Sequence, residues 1–543
     1  MPGPPLGSGT FGSDTGGSAD SAETEAVDDT ADGGGEGGGC SSMGDCSPGE
    51  ACGDAEDCAS GHCVDGVCCA SECDAGCYSC APETGECVPD GAGSDPAGDC
   101  ASGTCDGAGQ CTSGEPQWAD SYGAPPDGDA DGNDDGTGIT VDGAGNVYVV
   151  GAFSGSIDIA GPTLTAGGGN DMFVASFAPD GAPRWSIGVG TVGHDRGNGI
   201  AITSEGTVVA VGIMADDPGV GAPWPEQGPQ GLVLNLNPDG TVVGSTAIVG
   251  TESSRAMGVA AGPDGSVYVT GGFFGTLQAN TEHVGAGNED LFVVRLDSSL
   301  APVWSWTRGG ATKDLGRGIA VGPGGELAVT GFLDEGLDEG VDSSADVYIA
   351  VFGEGPNPAP TWDRRYESPT VALDKGHHVE FTPNGDLVAA GFFGGSIDFD
   401  DGVQTTAGDR DGFVARLRGD TGAPLWATTF GAAGIDIAHG AVLDPAGNVT
   451  VVGQFSEQPS LGPDTLAAVG ERDALVAKLR GDDGAFLWSA GFGGTASDLF
   501  SDAVHDSTGA VLVTGRFSSS AQFGPSDLTA SDGSDVLIMK LDP

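Results

Sequence analysis

Three features predict an all-β chain, a seven-bladed β-propeller of four-stranded antiparallel blades. A unit of about 60 residues recurs seven times, two glycines are fixed in every copy, and a lone strand ahead of the first copy matches what the last copy lacks. The copies open at GITVDGAGNVYVVG (138), GIAITSEGTVVAVG (199), GVAAGPDGSVYVTG (258), GIAVGPGGELAVTG (318), HVEFTPNGDLVAAG (378), GAVLDPAGNVTVVG (440) and DAVHDSTGAVLVTG (502). Glycine occupies the eighth position of each (Gly145, Gly206, Gly265, Gly325, Gly385, Gly447, Gly509) and the fourteenth (Gly151, Gly212, Gly271, Gly331, Gly391, Gly453, Gly515).

Within a copy, a short apolar run, a Gly/Asp/Pro/Asn turn and an alternating segment such as NVYVVGAF read as a β-hairpin. A third strand follows (DMFVASF, DLFVVRL, DVYIAVF, DGFVARL, DALVAKL, DVLIMKL). A second tight turn then leads to a fourth strand bearing Trp185, Trp304, Trp362, Trp426 or Trp488. Copy two is degraded, with Gln230 in place of the Asp that opens strand three and no Trp in VVGSTAIVG. The seventh copy stops at MKLDP after three strands, while EPQWADSYG, around Trp118, stands alone before the first. Closing the ring lets that early strand complete the last blade and removes both unpaired edges.

Ahead of the propeller at 115–543, composition divides the chain further. Residues 1–39 are an acidic Gly/Ser-rich stretch with almost nothing to bury, expected to be a disordered tether. Residues 40–112 hold all 14 cysteines: Cys40, Cys46, Cys52, Cys58, Cys63, Cys68, Cys69, Cys73, Cys77, Cys80, Cys87, Cys100, Cys105 and Cys111. An even count at short spacing in polar surroundings predicts a small module stapled by disulfides, of undetermined connectivity. A zinc site on Cys73, Cys77 and Cys80 is the alternative, with His62 as the available imidazole. The first basic residue is Arg184, so the amino terminus lacks the charged region of a secretory signal. Taken with the cysteines, this leads us to expect a secreted or cell-surface protein whose leader, with or without a lipid anchor, lies upstream of this chain.

The chain has 80 acidic against 18 basic residues and a formal net charge of -62. A field so negative repels phosphate, which excludes nucleic acid as a general partner. No apolar run reaches the roughly 18 residues of a transmembrane segment. The expected form is a monomer.

The repeat resembles bacterial β-propeller repeats of the SBBP type, whose elements look like GIAVD, GNVYVTG, DAFVAKL and LWS; the likeness covers roughly residues 115–543. The stretch CASGHCVDGVCC is similar to the Dickkopf amino-terminal cysteine-rich type, and the module looks like those preceding repeat domains in bacterial surface proteins. These resemblances imply fold and extracellular display, not an activity.

In an up-and-down blade the first-to-second and third-to-fourth turns share one face, and here they are tight. The other connections run to roughly 8 to 20 residues, so their face is where binding side chains are expected. It collects His194, Arg196, Arg255, Lys313, Arg317, Lys375, His377, His378 and His439, a candidate ring at the channel mouth for an anion or a carboxylated glycan. The alternative is that these cations balance the repeated Asp195, Asp314, Asp374 and Asp436 beside them. With Asp134 and Asp498, those carboxylates recur in six copies, as do Asp171, Asp290, Asp346, Asp411, Asp473 and Asp535 at strand three. Recurrence in nearly every blade points to backbone capping rather than catalysis.

DGDADGNDDGTG (127–138) spaces Asp127, Asp129, Asp131, Asn133 and Asp135 as in a calcium loop, with Gly132 at its turn. Gly138 stands where an EF-hand has its bidentate Glu, so weak calcium binding or a solvated acidic loop are both open. There is no G-x-S-x-G, H-E-x-x-H or G-K-[ST] phosphate loop, and the G-x-G-x-x-G matches beginning at Gly7 and Gly188 open no helix. The expectation is therefore a noncatalytic scaffold presenting its long-loop face to an extracellular ligand, a glycan or a surface protein. One alternative is an oxidoreductase, because GDTGAPLW and GDDGAFLW are similar to the TG-x-x-x-W pattern of quinoprotein propellers, which would imply pyrroloquinoline quinone with calcium. Another is a surface spacer without a specific ligand.

Overall fold

A computed structural model describes residues 114–124, 132–220, 224–225, 228–334, 345–353, 355, 359–368, 372–461 and 464–542, and six short strands between 63 and 112. All the regular structure among these residues is β, and every strand ladder is antiparallel. In the cysteine-rich region Cys63–Val64 pairs with Val67–Cys68, Tyr78–Cys80 with Cys87–Pro89, and Thr104–Cys105 with Cys111–Thr112.

From residue 135 the strands form successive four-stranded meanders, numbered here in chain order. The first is Asp135–Val141, Val147–Ile157, Leu164–Phe177 and Pro183–Val189. The innermost strands of the next five are Arg196–Ile202, Ser253–Ala261, Leu315–Val321, Lys375–Phe381 and Ile437–Leu443. The last meander contains Leu499–His505, Val511–Phe523 and Ser526–Leu541, and its fourth strand is Pro116–Tyr122, with Trp118 opposite Lys540 and Tyr122 opposite Val536. Backbone hydrogen bonds therefore join the strand ahead of the first meander to the last one.

Second and third strands such as VYVVGAF are apolar on both sides because both faces of each meander are covered by neighbours. Each apolar cluster draws on two consecutive meanders: Tyr148 and Val174 with Leu232, Val233 with Phe273, and Trp304 with Tyr348. The series continues as Ile349 with Phe413, Trp426 with Leu475, and Trp488 with Phe517. It returns to its start where Leu512, Val536 and Ile538 pack on Phe153 and Phe173.

The repeated tryptophans join these units. Trp185 Nε1 donates to Pro238 O at 2.9 Å, Trp362 Nε1 to Gly419 O at 2.8 Å and Trp426 Nε1 to Gly481 O at 2.8 Å, each in the next meander. The rings lie against turn glycines Gly240, Gly422 and Gly484, all at positive φ, and Trp118 lies likewise against Gly181. Meander two, degraded in sequence, keeps four strands. Gln230 replaces the missing Asp by taking the Gly250 N–H at 2.9 Å, and Ser254 Oγ takes the Gly231 N–H at 3.0 Å.

The long second-to-third connections carry small hairpins of their own, as at Thr276–Gln278 with Glu282–Val284 and Ser396–Asp398 with Val403–Thr405. Leu277, Ile397 and Phe399 are buried beneath them. The hairpin at Thr276–Gln278 also pairs with the outer strand of meander two. These hairpins of the long-loop periphery thus serve packing.

Candidate functional site

A β-bulge interrupts each innermost strand just before the repeat begins, at Thr137, Asn198, Met257, Arg317, His377, His439 and Ser501. A bulge sets one extra residue against the partner strand and re-aims its side chain. All seven bulge residues line one axial cavity of about 470 Å³, joined by Asp135, Arg196, Arg255 and Leu499 two positions earlier and by Ile213 and Arg516 from second strands. Elsewhere most copies keep the same Gly, Asp and Trp; at the axial position they differ, giving one asymmetric site.

Four arginines and one carboxylate line this cavity, in a chain whose acidic residues outnumber basic ones 80 to 18. Asp135 Oδ2 lies 2.7 Å from Arg196 Nη2 and 3.6 Å from Arg516 Nη1, and the Arg255 guanidinium pairs with buried Glu289. His377 and His439 stack with ring centroids 5.1 Å apart. Burial and the Arg317 guanidinium hold His377 well below the usual imidazole range, and burial with Arg317 and Arg516 pushes His439 down to about 3. Both rings are neutral at pH 7, leaving the positive charge to the guanidiniums.

Around the cavity, side chains tie four of the innermost strands to the next. Thr137 Oγ1 donates to Gly197 O at 2.8 Å, and Asn198 Nδ2 to Ala256 O at 2.8 Å. Glu380 Oε2 accepts the Leu443 N–H at 2.9 Å, and Asp502 Oδ2 the Ile139 N–H at 3.0 Å. Burial pushes both carboxyls up to about 7.

Of the residues expected at the channel mouth, the structure brings Arg196, Arg255, Arg317, His377 and His439 together. His378 follows the bulge and is instead hydrogen-bonded to the backbone of Ala441, with burial pushing it down to about 4. Lys375 is buried, its Nζ 4.2 Å from the Phe332 ring centroid, and Lys313 reaches the same ring at 5.9 Å. His194 is exposed at the rim, where its Nδ1 accepts the Asn170 N–H at 3.4 Å. Sequence reading missed Arg516, and with it Asp135 as a guanidinium partner; the residue after each fourteenth-position glycine was the available signal.

Asp127, Asp129 and Asp131 lie outside the described residues. Asn133 is exposed, its backbone N–H donating to Ser154 Oγ at 2.9 Å, while Asp135 is buried against the arginines. No group of three metal-ligating side chains occurs among the described residues.

The repeated aspartates cap backbone. Asp436 accepts the Ala432 and Ser456 N–H groups, both at 2.9 Å, and Asp498 those of Gly494 at 2.8 Å and Ser518 at 2.9 Å. Asp195 and Asp314 repeat the arrangement. At strand three, Asp411 takes the Ala407 N–H and Asp473 the Val469 N–H, both at 2.9 Å. On the tight-turn face, by contrast, strand-three cations pair with turn aspartates: Arg416 with Asp386 at 3.1 Å, Lys478 with Asp444 at 2.9 Å and Lys540 with Asp506 at 2.8 Å.

These caps carry a pH signature. Burial pushes Asp374 up to about 8, Asp314 to about 7 and Asp436 to about 6. A folded pKa above the unfolded one means that the native state holds the extra proton. That contribution is complete below pH 3.8 and is lost as pH rises through about 8. The buried histidines have the opposite sign, contributing above 6.5 and losing stability as pH falls toward 4, so they are silent above neutrality. Stability therefore falls between pH 6.5 and 8.5. In Asp374→Asn that decline is shallower by on the order of 1 kcal/mol, read from urea unfolding across the window. Parallel curves for the variant and the parent would refute the assignment.

No protein-family model matches the chain, and no curated protein matches it. Among solved structures it is similar to the WD40 β-propeller domain of Doa1, at 9% identity and TM-score 0.37 over 78% of this chain and 97% of that one. It is similar to puromycin hydrolase complexed with PGG, at 12% identity and TM-score 0.40 over 74% of this chain and 55% of that one, so it spans just over half of the hydrolase. It is also similar to the quinohemoprotein alcohol dehydrogenase ADHIIG from Pseudomonas putida HK5, at 10% identity and TM-score 0.37 over 78% and 76%.

Proposed function

We propose that the chain is a seven-bladed β-propeller, closed by Pro116–Tyr122, that serves as a noncatalytic secreted or cell-surface binding scaffold and receives an anionic extracellular ligand at its axial mouth. The observation that carries this reading is the reversal of charge there: Arg196, Arg255, Arg317 and Arg516 converge on one cavity of an otherwise strongly acidic molecule. Guanidinium forks suit carboxylate and sulfate oxygens, and a cationic mouth in a negative field selects the anionic part of a ligand.

The quinoprotein alternative rests on the TG-x-x-x-W pattern. Inter-meander packing accounts for that pattern, since Trp185, outside the fuller match, makes the same contacts as Trp426. A calcium ion in the acidic loop would draw on Asp127, Asp129, Asp131 and Asn133, with Asp135 held by the arginines.

The test is an array of carboxylated, sulfated and neutral glycans probed with the whole chain and with Arg317→Gln/Arg516→Gln. Binding of acidic glycans, weakened about 10-fold or more in the double variant, is the expected result; tenfold corresponds to about 1.4 kcal/mol. Equal binding by both proteins would reject the axial mouth. No binding to any glycan would favour the spacer, and quinone absorbance in the purified protein would favour the oxidoreductase.

A further inference from the structure

The axial cavity is not isolated. Arg255 and Ile213 also line a second cavity, of about 350 Å³, between meanders two, three and four, so the two chambers adjoin at the Arg255 side chain. Both volumes fall within the roughly 300–1,000 Å³ usual for small-molecule sites. Their chemistry differs. The axial chamber is rich in guanidinium, whereas the side chamber beyond Arg255 sets Phe274 and Pro229 among Ser253, Asn288 and Thr312 with a single further cation, Lys313, over the buried carboxylates of Glu289 and Asp334. Glu289 also fixes the Arg255 guanidinium, so the residue at the junction is held in place by the wall of the side chamber.

We propose that the two chambers form one site for an acidic oligosaccharide, with a uronic-acid unit in the axial chamber and an adjacent neutral sugar in the side chamber. This rests on the anion reading above and adds the ligand class and its direction. A carboxylate matches the guanidinium forks. A neutral sugar presents apolar C–H faces and many hydroxyl groups. An aromatic wall with amide and hydroxyl partners satisfies both, whereas a simple inorganic anion would leave those groups unused. Specificity then comes from the second unit, because a site built to hydrogen-bond hydroxyls discriminates against ligands that lack them.

Isothermal titration of the full chain with free glucuronate, with a disaccharide of glucuronate linked to a neutral hexose, with the corresponding neutral disaccharide, and with sulfate tests the proposal. The acidic disaccharide is expected to bind at least 10-fold more tightly than glucuronate, and the neutral disaccharide not measurably. Phe274→Ala and, separately, Asn288→Leu should erase the disaccharide advantage while leaving glucuronate affinity within about twofold. Arg317→Gln should weaken both acids. Using two side-chamber variants, each checked for an unchanged melting temperature, separates loss of contact from loss of fold. Equal affinity for glucuronate and the acidic disaccharide, or for sulfate and the disaccharide, would overturn the two-chamber site while leaving the anion reading intact. Absence of binding by every acid would overturn both.

Discussion

Removal of residues 1–123 should abolish cooperative folding of the remaining chain. The Pro116–Tyr122 strand supplies the whole outer edge of the last meander, pairing with Val536–Leu541. Its Ala119 is buried in the cluster around Trp488 and Phe517, and Trp118 packs toward the first meander beside Val536. Without it the third strand presents a row of unpaired backbone groups and an uncovered apolar face, a ready template for association with other chains. The loss should be comparable with the roughly 5–15 kcal/mol that stabilises a typical domain. The expected readout is aggregation and a collapsed urea transition. A chain lacking only residues 1–111 should unfold as the full chain does, because it keeps the strand. If the 1–123 deletion unfolded with an unchanged midpoint, ring closure would have no energetic role.

Gly453→Ala should cost about 3 kcal/mol or more, at the upper end of overpacking effects. A Cβ at this position would overlap the Ile437 carbonyl oxygen. Every fourteenth-position glycine faces the same obstacle, from Asp135 O against Gly151 to Leu499 O against Gly515, because the bulge drives the innermost strand onto its neighbour there. The neighbour is backbone, so no rotamer change relieves the clash. The eighth-position glycines serve a different need: they sit in the hairpin turns at φ between 80° and 86°. Gly447→Ala has open space around it and should lose only about 1–2 kcal/mol, the cost of a left-handed residue with a Cβ. Urea midpoints for the two variants test the contrast; equal losses would refute the carbonyl contact as the reason for the repeated glycine.

Turn chemistry and apolar alternation are local, so the positions of strands, tight turns and repeats are legible from residues such as Gly447 and the VTVVG segment after it. The partner of the closing strand is legible for a related reason: a seventh copy missing one strand and a spare strand bearing Trp118 can satisfy their edges only together. Five mouth residues, Arg196, Arg255, Arg317, His377 and His439, could be proposed because they sit at the entrance to innermost strands. Their place in the same fourth-to-first connection makes His378 and Lys375 equals of His377 in the sequence, yet the structure separates them. A one-residue bulge turns His377 to the axis and sends His378 to the backbone of Ala441, while Lys375 settles over Phe332.

By itself, then, the sequence determined the repeat, its strands and the joining of its ends, since each follows from patterns within a few residues or from matching unpaired edges. Tertiary structure alone decided which cations share a cavity, that Arg516 and Asp135 belong with them, and that a second chamber opens at Arg255. These depend on bulges and on the packing of one meander against the next, which bring side chains together across hundreds of residues.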